Sequence, residues 1–141
     1  MYDKLLKKFR ECEIGFTKDS DSIMFDENFN SISTKEIYNL ECDTDGPIAM
    51  IAVTRHQYDV DKFPKYVNYI KNQLGIDTIY FGLWPGVNRV EYDVLYVIDT
   101  VDDNTIQKHL NAHNLLNDGV SQEMALVISN DGTTKIIENS R

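Results

Sequence analysis

Between residues 47 and 129 the apolar residues change period in a fixed succession, and that succession restricts how the chain can be wound. Asp45-Gly46-Pro47 is a turn signature, and IAMIAV (48–53) behind it is a continuous apolar run. A run of that kind suits a strand covered on both faces. In DVDKFPKYVNYIKNQLG (59–75), Val60, Phe63, Val67, Ile70 and Leu74 form one helical stripe, closed by Gly75. Pro64 is tolerated only in a first turn, so the regular helix begins near it. IDTIYFGL (76–83) reads as a strand, WPGVNR (84–89) as a loop, and VEYDVLYVID (90–99) as a long strand. Asp102 or Asp103 caps a helix over residues 103–116. EMALVIS (123–129) is a further strand, and Asn130-Asp131-Gly132 turns it into a hairpin with TTKIIE (133–138).

The order is β-α-β-β-α-β plus one extra strand, which predicts an α+β fold with a split βαβ, ferredoxin-like core over about 47–129. Its first and third strands, 48–53 and 90–99, should be central. A chain of 141 residues fits one domain, with 1–45 as an N-terminal extension and 47–138 as the α+β core. Tyr2, Leu5, Leu6, Phe9 and Cys12 recur at helical spacing, so residues 2–12 read as an amphipathic helix that covers the core. Short runs at 13–17, 22–25 and 35–41 read as strands. If KEIYNLE (35–41) pairs with 48–53 as a hairpin, the fourth strand loses its place, and a meandering α+β sheet is the alternative.

The faces of strand 90–99 differ. Val90, Tyr92, Val94, Tyr96 and Ile98 point one way, to lie under the helices; Glu91, Asp93, Leu95, Val97 and Asp99 point the other. The second face is half apolar, and strand 48–53 offers Ala49, Ile51 and Val53 to one face. An open face of this kind needs a cover: the N-terminal segment, a second copy of the chain, or a ligand.

Charge narrows the partners. The net charge of −9 works against nucleic acid. Lys4, Lys7, Lys8 and Arg10 against Asp3 leave +3 in residues 1–10, while ten carboxylates against Lys18 and Lys35 leave −8 in residues 11–45. The hydrophobic fraction of 42% and the charged fraction of 26% are those of a soluble globular protein. No apolar run approaches the ~20 residues that span a bilayer, and Met1-Tyr2-Asp3-Lys4 opens no apolar signal region. The expectation is a cytoplasmic protein with Cys12 and Cys42 as reduced thiols.

The candidate site residues fall into groups. In IQKHLNAHN (106–114), His109 and His113 stand at i,i+4 on one helix, a spacing that lets two imidazoles reach one metal. At about 100° per residue His113 falls within about 20° of Ile106 on the buried face, so a hydrogen-bonded core histidine, with His109 at the surface, is the competing reading. Zinc would want further protein ligands, and the glutamate of a catalytic HExxH helix is absent. Thr54-Arg55-His56-Gln57-Tyr58-Asp59 follows the central strand at an end where ligands often bind; Arg55 suits an anion and His56 acid–base work. Trp84 and Arg89 flank the WPGVNR loop, and both types are enriched at binding hot spots. Tyr92 and Tyr96 would line a cavity between sheet and helices. Asp19-Ser20-Asp21-Ser22 starts like a calcium loop, but Ile23 and a missing glycine break the pattern. Phosphate-loop and GxSxG motifs are absent.

Together these features predict a small non-catalytic module that binds a small molecule or a protein and pairs with a second copy through the half-apolar face or an edge strand. No cofactor is expected. A small enzyme of the dimeric α/β-barrel kind, or a protein holding a divalent metal on His109 and His113, is the alternative. Neither nucleic acid nor a membrane is an expected partner.

Overall fold

The computed structural model describes residues 2–17, 19–53, 60–85, 90–99, 102–113 and 122–140. Among them lie four α-helices: α1 (Asp3–Glu13), α2 (Thr34–Glu41), α3 (Phe63–Asn68) and α4 (Asp103–Ala112). The strands are β1 (Ile23–Phe25), β2 (Ser31–Ile32), β3 (Ile48–Ala52), β4 (Tyr80–Pro85), β5 (Val90–Ile98), β6 (Met124–Ile128) and β7 (Thr134–Glu138). They form one seven-stranded sheet in the order β2-β1-β4-β5-β3-β6-β7, antiparallel throughout. The strands expected to be central are interior ones: β3 lies between β5 and β6, and β5 between β3 and β4.

Three helices pack on one face. Leu5 and Phe9 of α1, Phe63 and Tyr66 of α3, and Ile106 and Leu110 of α4 are buried against Ala49, Ile51, Tyr92, Val94 and Tyr96. Phe9 stacks on Tyr92 with ring centres 4.5 Å apart, and Phe63 on Phe81 at 5.8 Å. Pro64 sits in the first turn of α3, where its missing N–H costs nothing. A 3-10 turn (Val60–Lys62) precedes α3, and a π turn (Tyr69–Gln73) follows it, ending before Gly75 at φ +69°.

The other face departs from the sequence reading in two ways. KEIYNLE (35–41) is not a strand but most of α2. Ser33 accepts from the Glu36 backbone N–H while Glu36 accepts from that of Ser33, a capping box that fixes the helix start. Ile37 and Tyr38 then lie on Ile48, Met50, Leu95, Leu126 and Ile128. Burying Ile37 alone contributes roughly 1.5–3 kcal/mol, enough to outweigh any local preference of this short segment for extended structure. Second, Ala49, Ile51 and Val53 do not belong to the half-apolar face. Ile51 pairs with Tyr96 and Ala49 with Ile98, so they share the helix side, and Ile48, Met50 and Ala52 accompany Leu95 and Val97. Within the chain, α2 is a cover for that face.

Smaller differences are local. Residues 13–17 end α1 and turn, with Phe16 N–H donating to the Glu13 carbonyl, instead of forming a strand. β4 begins at Tyr80, not 76, and takes in Trp84 and Pro85, which were expected in a loop. Of the helix expected over 103–116, α4 ends at Ala112, and residues 114–116 lie outside the described residues. Asp102 caps it, accepting from Thr105 N–H.

Candidate functional site

The two histidines of α4 meet a tyrosine. Tyr96 of β5 points from the sheet into the helix layer, and its hydroxyl lies 2.6 Å from Nδ1 of His109 and 2.8 Å from Nε2 of His113. The other ring nitrogen of His113 lies 2.8 Å from the hydroxyl of Tyr69, at the start of the π turn. Tyr69, His113, Tyr96 and His109 therefore form one hydrogen-bonded chain. Two proton arrangements satisfy it with neutral imidazoles. In one, Tyr69 donates to His113, His113 to Tyr96 and Tyr96 to His109; in the other every donor and acceptor is reversed.

The surroundings favour neutrality. Tyr96 and His113 are at most 1% exposed. Burial, and then the neighbouring His109, pushes the His113 imidazole down to about 4. Burial also lowers His109 and raises the phenols of Tyr69 and Tyr96. His109 is half-buried with a partner, not the surface histidine of the competing reading. A metal on these two rings would have to displace the Tyr96 hydroxyl. Among the described residues no group of three or more His, Cys, Asp and Glu stands close enough to hold one.

The remaining predicted residues do not join this chain. Tyr92 stacks on Phe9 and donates its hydroxyl to the Glu13 carboxylate, which ties down the end of α1. Arg55, His56 and Arg89 lie outside the described residues. Trp84 is on the opposite side of the sheet, packed against the α2-side core.

That side holds a second candidate. The sheet curls until its two edges, β1–β2 and β6–β7, line one groove of about 1130 Å3. Met24, Trp84, Met124 and Leu126 supply apolar lining, Ser22 and Ile32 line it from one edge, and Thr134 and Ile136 from the other. The first turn of α2 bounds it with Thr34 and Glu36, and Thr34 donates its hydroxyl to the Gly132 carbonyl at 2.7 Å. Of the residues the sequence singled out, Trp84 and Ser20–Ser22 of the broken calcium-loop pattern line this groove, and no motif links them, because the lining comes from distant segments.

Comparison with known proteins found no matching family model, curated protein or solved structure. The histidine–tyrosine chain sits inside the helix-side core, with the Tyr96 hydroxyl and both ring nitrogens of His113 hydrogen-bonded. The groove combines open volume, apolar lining and polar groups at its rim, which is the usual make-up of a recognition site.

Proposed function

We propose that this chain is a non-catalytic binding module that takes its ligand in the groove between the curled sheet's edges. The groove itself carries the reading. Its volume of about 1130 Å3 slightly exceeds the ~300–1,000 Å3 usual for small-molecule pockets, so an elongated ligand or a protein segment suits it better than a compact metabolite. Leu126 and Trp84 offer apolar contact, while Ser22, Thr34 and Glu36 offer hydrogen bonds and charge. The ferredoxin-like reading of residues 47–129 belongs to the same proposal, and the antiparallel succession β6-β3-β5-β4 supports it. In that arrangement α3 and α4 hold one face, which leaves the other for α2 and the ligand.

Trp84 is the only tryptophan, so its fluorescence reports on the groove. Titration with the uncharged probe N-phenyl-1-naphthylamine should give saturable energy transfer from Trp84. Ile136→Lys, a change at a side chain 51% exposed on the groove wall, should weaken it at least fivefold. A signal that never saturates, or that the substitution leaves unchanged, would remove the groove as the binding site.

A further inference from the structure

We infer that the natural occupant of the groove is an extended peptide segment of another protein, added to the outer edge of β7 as a further strand; the inference rests on the groove's being the binding site. The backbone supplies the first argument. Ser129 N–H donates to the Thr133 carbonyl and Asn139 N–H to that of Glu123, which fixes the phase of the β6–β7 ladder. Thr133, Lys135 and Ile137 turn their backbone groups to β6, so Thr134, Ile136 and Glu138 turn theirs outward. The Glu138 carbonyl already accepts from Gln107 Nε2 at 2.9 Å. The outward N–H and C=O of Thr134 and Ile136 have no partner among the described residues. These residues also line the groove. An edge with free donors and acceptors beside apolar side-chain slots is what strand addition uses.

The lining supplies the second. Ile136 pairs across the ladder with Leu126, and both point into the groove, where every second side chain of an added strand would meet them. Asp21 and Glu36 line the same groove, whereas Lys135 turns its side chain to the opposite face of β7 with Val127 and Ile137, and the whole chain carries −9. The complementary segment therefore presents both apolar and basic residues at its groove-facing positions, every second residue, with uncharged residues between them on the Lys135 side.

A second copy of β7 fits less well. Antiparallel self-pairing centred on Lys135 sets two ammonium groups directly opposite. Centring it on Ile136 or Ile137 requires the Glu138 carbonyl, which Gln107 occupies. Two chains of charge −9 also repel.

The probe is the seven-residue peptide Thr-Val-Thr-Lys-Thr-Val-Thr, acetylated and amidated, compared with the same peptide N-methylated on alternate residues. Binding is read by Trp84 fluorescence and by the amide signals of Thr134 and Ile136 in nuclear magnetic resonance. The expected result is saturable binding that N-methylation weakens at least tenfold, since the methyl removes the peptide donors that face β7. Ile136→Pro should have the same effect: it deletes an outward N–H and leaves the bonds to β6 in place. Equal binding of both peptides, or no peptide binding while the naphthylamine probe still saturates, overturns strand addition and leaves the groove reading standing. Failure of both probes overturns the two together. A concentration-dependent dimer in sedimentation that Ile136→Pro abolishes makes a second copy the occupant and overturns the inference.

Discussion

The Tyr96 hydroxyl and Nε2 of His113 are 2.8 Å apart in the core, between side chains that are 0% and 1% exposed. A hydroxyl so placed serves two imidazoles, because Nδ1 of His109 lies 2.6 Å from it as well. Tyr96→Phe keeps the ring and removes both contacts. Leaving buried nitrogens without a partner costs about 1–3 kcal/mol, and urea unfolding should show a loss of that size. Tyr92→Phe removes a hydroxyl that donates to Glu13, half-buried at the end of α1, and should cost about 1 kcal/mol.

The same burial makes stability depend on pH. The folded chain binds a proton at His113 only near pH 4, whereas the unfolded chain binds one near 6.5. Between those values the unfolded state holds more protons, so the stabilisation is fully present above 6.5 and is lost as pH falls toward 4. Its size is on the order of 2–3 kcal/mol. Unfolding free energy measured from pH 7.5 to 5 should fall in wild type and stay flatter in His113→Gln. Above pH 5 the carboxylates contribute little, and His109, which burial also lowers, titrates in the same direction, so the difference between wild type and His113→Gln is the share of His113.

Metal content separates the hydrogen-bonded chain from a metal site. Elemental analysis of wild type after dialysis against zinc should show no stoichiometric metal, because the Tyr96 hydroxyl occupies the nitrogens a metal would need. Tyr96→Phe frees them and should bind zinc more tightly than wild type. Stoichiometric zinc in wild type that His113→Ala removes would make His109 and His113 ligands.

Most of the elements beyond residue 47 were legible because their apolar residues keep one period long enough to be read. Ile106, Leu110 and His113 share a helix face, and that spacing alone placed His113 in the core. The partner of His113 was not legible, since Tyr96 and Tyr69 reach it from β5 and the π turn, and no local pattern links those segments. Residues 34–41 misled for a different reason. Ile37, Tyr38 and Leu40 suit a strand or a helix over so short a run, and Leu40 is in fact 71% exposed. The deciding signal was Ser33-Thr34-Lys35-Glu36, a capping-box spacing that marks a helix start. The groove was least legible of all, because a sheet's curl is set by long-range pairing rather than by any one strand's sequence.

The capping box gives a direct check on α2. Ser33→Ala removes the oxygen that accepts from Glu36 N–H and should cost about 1 kcal/mol. Because α2 bounds the groove, amide exchange should rise in α2 and the naphthylamine probe should bind more weakly, while α4 keeps its protection.

Gly132 tests how α2 is held against the β6–β7 turn. Its φ of +87° is a conformation that a side chain disfavours, and a Cβ there would stand 2.9 Å from Cβ of Lys35 and 3.2 Å from its Cα. The Lys35 ammonium donates to the Asn130 carbonyl and the Thr34 hydroxyl to the Gly132 carbonyl, so helix and turn touch at several points. Gly132→Ala must therefore strain the turn and push α2 away together, and should cost more than ~1 kcal/mol. Restoring room should not rescue it fully: Lys35→Gly in the Gly132→Ala background removes the 2.9 Å contact but leaves the one to Cα at 3.2 Å and the backbone strain. Thermal unfolding of both variants should thus rank wild type first, the double variant below it, and fluorescence of Trp84 should change most where α2 has moved.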